Sequence, residues 1–185
     1  MSDRLLELLR EHSYREGDFV LASGARSSYY VDVRRTSLTA EGSVLIGERL
    51  LGLIQSKGWA PDAVGGMTLG ADPLTTAVGI AAFRAGVPLT CFLVRKEPKG
   101  HGAGKQVEAA GDMPSAPRVV ILEDTTTTGG STARAIEAAR AAGYQVVAAV
   151  TIVDRQQGAE ARLRELDVAF ASLFTVEDLR DAASA

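Results

Sequence analysis

A chain of 185 residues with 20 Lys and Arg against 23 Asp and Glu carries a formal net charge of -3, with two His available to adjust it. That balance argues against a bulk binder of nucleic acid or of an anionic membrane, which needs a basic excess or stripe. Hydrophobic residues at 46% and charged residues at 23% exclude whole-chain disorder, while 19 Gly beside 5% aromatics point to backbone-defined loops.

One domain spanning residues 1–185 is expected. Leu5, Leu6, Leu8 and Leu9 mark a short first helix, without the layout of a signal peptide. Alternation around residues 19–21 and 29–33 reads as a small β element, so residues 1–38 form an N-terminal hood. Thr39 is placed to cap a long helix whose broad apolar face includes Ile46, Leu50 and Ile54. Short apolar runs then follow at residues 63–64, 89–94, 119–122 and 146–153, alternating with helical patterns near 73–85, 131–142 and 159–166. Runs apolar on both faces, separated by helices, predict an α/β fold with a mostly parallel central sheet covered on both sides. Cys91, the only cysteine, lies in one of these runs and reads as an inert thiol; with His12 and His101 it cannot make up a zinc site. No uncharged run approaches the roughly 20 residues of a membrane span, and a cytoplasmic location is expected.

Two stretches interrupt the pattern. Residues 95–116 are rich in Gly, Lys and Pro and lack periodicity, which reads as a long flexible loop. Residues 65–70, Gly-Gly-Met-Thr-Leu-Gly, stand between a strand and a helix that Pro73 would start. Such loops at the carboxyl ends of strands are where open α/β sheets bind ligands.

The sharpest segment is the buried strand 119–122 followed by Glu123, Asp124, Thr125, Thr126, Thr127, Thr128, Gly129, Gly130 and Ser131. Four β-branched residues before Gly-Gly are poor helix formers, so this reads as a loop whose amides, hydroxyls and following helix N-terminus form a phosphate site. Gly104-Lys105 does not complete a Walker A motif, because Lys99 and Gln106 occupy two of its required positions.

The acid pair and the Thr-Thr-Gly-Gly-Ser ending resemble the phosphoribosyl pyrophosphate (PRPP) signature of type I phosphoribosyltransferases. Residues 19–32, 95–102 and 153–158 are similar, in order, to the hood segment, mobile catalytic loop and late Asp-Arg-x-x-Gly turn of the orotate phosphoribosyltransferase family. This resemblance implies transfer of a phosphoribosyl group from PRPP to N1 of orotate, yielding orotidine 5-phosphate and pyrophosphate for UMP synthesis. It further implies that Glu123 and Asp124 hold the ribose hydroxyls and act at the reacting sugar while Thr125 to Ser131 cradle the 5-phosphate. Arg95, Lys96, Lys99 and His101 would meet the pyrophosphate, with Lys99 as the principal catalytic residue, and Thr127, Arg155, Tyr30 and Val31 would meet orotate. Mg²⁺ is expected mainly on PRPP, with no protein metal-ligand set. The implied homodimer shares its loop across the interface.

Many bacterial members carry Lys where this chain has Ala22 and Leu69; Lys105 and Arg26 are candidates to compensate. The rival readings are a phosphoribosyltransferase for another nucleobase and a regulator that senses PRPP. The first should lack the Arg95-Lys96-x-x-Lys99-x-His101 pattern, and the second should add a nucleic-acid-binding module or basic surface.

Overall fold

The structure is a computed structural model that describes residues 3–20, 24, 26–97, 105–109 and 113–180. The chain starts with helix α1 (Arg4–Leu8), continued by a π-helical turn at Leu9–Ser13. Strands β1 (Tyr14–Val20) and β2 (Arg26–Val31) pair antiparallel as a separate two-stranded hood. A short helix α2 (Arg34–Ser37) leads to α3 (Ala40–Ser56), where the Thr39 hydroxyl accepts from the Gly42 amide at 3.1 Å as the expected cap.

The remaining elements are β3 (Ala63–Met67), α4 (Ala71–Arg84), β4 (Thr90–Val94), β5 (Val107–Ala109), β6 (Arg118–Thr126), α5 (Gly130–Ala141), β7 (Gln145–Asp154), α6 (Ala159–Glu165), β8 (Ala169–Thr175) and α7 (Val176–Arg180). Their six strands lie in the order β5-β4-β3-β6-β7-β8, parallel except for β5, which runs antiparallel to β4 at one edge. The residues of β6 explain the uninterrupted apolar run. Val120 and Leu122 pack with Ile46, Leu50 and Leu74 on one face, while Val119 and Ile121 pack with Ile136, Ala139 and Leu163 on the other.

The order places the topological switch between β3 and β6, the crevice position for a ligand in an open α/β sheet. Two sequence assignments are corrected there. Gly65 and Gly66 belong to buried strand β3, which leaves residues 68–70 as the loop. Thr125 and Thr126 extend β6, because they pair with Val153 and Asp154 of the longer neighbouring strand. Residues 95–116 are likewise not all loop: β5 closes a hairpin-like excursion whose base is tied by the Arg95 amide donating to the Gln106 carbonyl at 2.8 Å.

Gly66 is a steric requirement of this sheet, since a Cβ there would lie 2.1 Å from the Leu122 carbonyl oxygen. Gly66→Ala is therefore expected to cost about 3 kcal/mol or more. Gly52→Ala, with nothing within 4 Å of its added Cβ, is the control and should leave the unfolding midpoint unchanged or raised. Chemical denaturation of both variants checks this; equal midpoints would refute the close approach.

Candidate active site

Near its carboxyl end, at the switch, strand β6 carries two carboxylates in unlike settings. Glu123 is buried, 6% exposed, and accepts hydrogen bonds from the Ser131 hydroxyl at 2.7 Å and the Thr132 hydroxyl at 3.1 Å. These bonds tie the strand end to the first turn of α5. Asp124 accepts from the Thr125 amide at 2.7 Å. A Cβ at Gly70 would come within 2.9 Å of the Asp124 carboxyl carbon, so the 68–70 loop lies directly against this acid. Burial raises the proton affinity of both carboxyls above the ordinary range; the hydroxyl bonds oppose it at Glu123, and the Thr125 amide and Arg34 oppose it at Asp124.

Between the acids and α5, Gly129 takes the left-handed conformation, φ 74°, that turns the chain into the helix. Its backbone packs on Ala159 of α6, and Arg162 donates to the Thr128 carbonyl at 3.4 Å. The Thr125 and Thr126 hydroxyl oxygens are buried without a partner among the described residues. The amides opening α5 and the positive end of that helix make a donor-rich cradle suited to an oxyanion.

Across the crevice, Arg155 follows β7 and turns toward the hood. Its Nε donates to the Tyr29 hydroxyl at 3.1 Å and Nη2 to the Ser27 hydroxyl at 3.4 Å, with the guanidinium 4.7 Å from the Tyr29 ring centre. Arg180 of α7 also stacks on Tyr29, at 4.6 Å. Arg155 therefore makes neither surface ion pair that its sequence neighbours offered: Asp154 accepts from the Gln156 amide, and Glu160 pairs with Arg164.

The hood residues differ from the sequence picture in one respect. Tyr30 and Val31 sit on opposite faces of β2, as consecutive strand residues must. Tyr30 is 40% exposed beside Phe19, whereas Val31 packs against the core. The two residues that the sequence reading missed, Tyr29 and Ser27, are the ones that meet Arg155. The period-two alternation of β2, which sets both on the face opposite Tyr30, was the available signal. Lys99 and His101 lie outside the described residues, as does Ala22; Arg95 pairs with Glu108 at 3.0 Å. Cys91 is half-buried, donates to the Thr75 carbonyl and has its pKa raised by burial, in keeping with an inert thiol.

The sequence matches no protein-family model. It is 42% identical to the orotate phosphoribosyltransferase of Nostoc sp. over 177 residues, covering 96% of this chain and 84% of the relative. The structure also superposes on Mycobacterium tuberculosis orotate phosphoribosyltransferase in complex with Fe(III) dicitrate, with a TM-score of 0.82, 38% identity and 95% and 96% of the two chains covered. The same Mycobacterium enzyme in complex with PRPP gives 0.78 at 36% identity, covering 95% and 96%. The chain belongs to the orotate phosphoribosyltransferase family. Its hood, its six-stranded sheet and the acid pair late in β6 fit the type I phosphoribosyltransferase fold that the resemblance implied. Among the described residues, no helix is long and apolar enough to cross a membrane.

Burial of the acid pair gives this family member a pH signature. The folded chain holds protons that the unfolded chain has already released between the ordinary carboxylate range and the raised folded values, so stability falls as pH rises through that window. The ligand-free protein should be more stable at pH 5 than at pH 8, and Glu123→Gln should flatten that slope by an amount of order 1 kcal/mol. Thermal melts across this range decide it; an unchanged slope in the variant would refute the assignment to Glu123.

Proposed function

We propose that the protein transfers the 5-phosphoribosyl group of PRPP to N1 of orotate, giving orotidine 5-phosphate and pyrophosphate. The observation that carries this reading is a buried strand delivering Glu123 and Asp124 to the switch crevice, with an anion cradle on one side and Arg155 opposite. Asp124 and Glu123 accept from the ribose hydroxyls, and their charge favours the positive character that builds on the ring as the C1 bond to pyrophosphate lengthens. The 5-phosphate occupies the cradle from Thr125 to Ser131. Arg155 presents its planar fork to the orotate carboxylate, with Thr127, Tyr30 and Val31 along the pyrimidine.

Arg95, Lys96, Lys99 and His101 neutralise the departing pyrophosphate, and closure of their loop excludes water that would otherwise hydrolyse PRPP. Mg²⁺ would be held mainly by PRPP: Oε2 of Glu123 already accepts from two hydroxyls and Oδ1 of Asp124 from an amide, and the remaining oxygen of each acid serves the ribose hydroxyls. When bound, the ion withdraws charge from the diphosphate.

A second copy of the chain completes the site in this reading. Leu38, Val44, Leu69 and Ile80 line an open cavity of about 860 Å³ between α3 and α4, with Phe83 beside it 86% exposed. This apolar face begins at the 68–70 loop, so a copy seated on it can bring its own catalytic loop to the site. Sedimentation at assay concentration reads the assembly directly, and a monomer would set the shared loop aside. A cytoplasmic setting accords with this substrate chemistry.

The function is tested by supplying PRPP and Mg²⁺ with a panel of nucleobases and following pyrophosphate release. Orotate should give the signal. Release with a purine or uracil in its place would favour the rival transferase, and silence with every base would refute transfer.

A further inference from the structure

Arg34 was no part of the sequence-derived site, yet α2 carries it to the edge of the crevice. It lines the same cavity as Leu69 and Asp72, and Gly70, next to Leu69 in the chain, abuts the Asp124 carboxylate. Its guanidinium is held from behind: Nε and Nη2 donate to the two oxygens of Asp32 at 2.8 and 3.1 Å, and the Arg34 amide donates to the same carboxylate at 3.2 Å. That grip leaves both N–H groups of Nη1 without a partner among the described residues, on a side chain 48% exposed. The guanidinium also lies within electrostatic reach of Asp124 and Tyr30.

Two other cations of the proposed site hold protein partners in this structure. Arg155 is bonded to Tyr29 and Ser27, Arg95 is paired with Glu108, and position 69 holds an exposed Leu, 66% accessible. Because the 68–70 loop lies against Asp124, a diphosphate on a ribose held by Asp124 comes near that loop, where a guanidinium with Nη1 unspent suits phosphate oxygens. We propose that Arg34 is a further substrate-contacting residue, directing Nη1 at the diphosphate of PRPP and supplying beside the 68–70 loop the positive charge that Leu69 lacks. This rests on the PRPP reading of the site given above. Asp32 acts as the positioning residue that fixes the fork.

The test compares wild type, Arg34→Gln, Arg34→Lys and Arg34→Gln/Leu69→Lys by steady-state kinetics, thermal melting and calorimetric titration with Mg²⁺-pyrophosphate. Arg34→Gln should raise the KM for PRPP and weaken pyrophosphate binding by roughly tenfold to a hundredfold, the usual worth of a charge-assisted contact. The KM for orotate should stay within about twofold and the melting temperature within a few degrees, as fits a half-exposed side chain. Arg34→Lys should be intermediate, and the added Leu69→Lys should recover part of the lost affinity. An unchanged KM for PRPP with unchanged pyrophosphate binding overturns the proposal. A parallel rise in both KM values with a lowered melting temperature also overturns it, because that pattern marks a purely structural Asp32–Arg34 pair. If Arg34→Gln fails to fold, the Lys variant decides by the same criteria. If wild type makes no product from orotate, the proposed function falls, while the pyrophosphate titration still judges Arg34.

Discussion

Lys99→Ala should lower kcat by roughly a hundredfold to a thousandfold, the usual cost of removing one preorganised group from charge that develops in the transition state. Pyrophosphate leaves with negative charge that the nucleobase does not neutralise, and Lys99 belongs to a run that sets three cationic side chains, Arg95, Lys96 and Lys99, beside His101 within seven residues. The stems of the loop are already fixed by the β4–β5 pair, so the substitution should leave the fold intact. Single-turnover measurement with saturating PRPP separates chemistry from release. A loss confined to KM would mean that Lys99 binds PRPP uniformly and does not stabilise departure of the pyrophosphate.

Asp124→Asn should move activity and stability in opposite directions. The Asn keeps an oxygen for the Thr125 amide and nearly the same volume against Gly70, so the local packing survives. It removes a charge that burial disfavours, so the ligand-free protein should melt higher at neutral pH. In the proposed reaction the same charge serves the sugar as it turns cationic, so kcat/KM for PRPP should fall by roughly tenfold to a hundredfold. Kinetics and melting on one preparation check both halves. A variant that is less stable and equally active would place the carboxylate in the scaffold, outside the reaction.

The residues best read from sequence were those whose local chemistry and fold agree. Val119 to Leu122 are apolar because both sheet faces are covered, and the acid pair follows them directly on the same strand. The Thr39 cap and the helix through Leu50 were legible for the same reason. Strands β5 and β8 were missed because they are edge strands covered less completely, which blurs the apolar signal. Thr125 and Thr126 were taken for loop because their own propensities exclude only helix, and pairing with β7 decides the rest. Arg34 was absorbed into a reading that ran β2 on to residue 33; Asp32-x-Arg34, an acid two residues before a base, gained meaning only once α2 turned the chain.

The Tyr29 ring, held between Arg155 and Arg180, has a consequence for how the molecule assembles. Its bond with Arg155 spans 126 residues, and the stack with Arg180 reaches still farther along the chain. Joining residues so far apart in the chain costs loop-closure entropy, which only the surrounding fold offsets. The phosphate cradle is built from β6 and α5, which are adjacent in the chain, whereas the hood side of the crevice is tied across most of the described chain and so depends on the rest of the fold being in place.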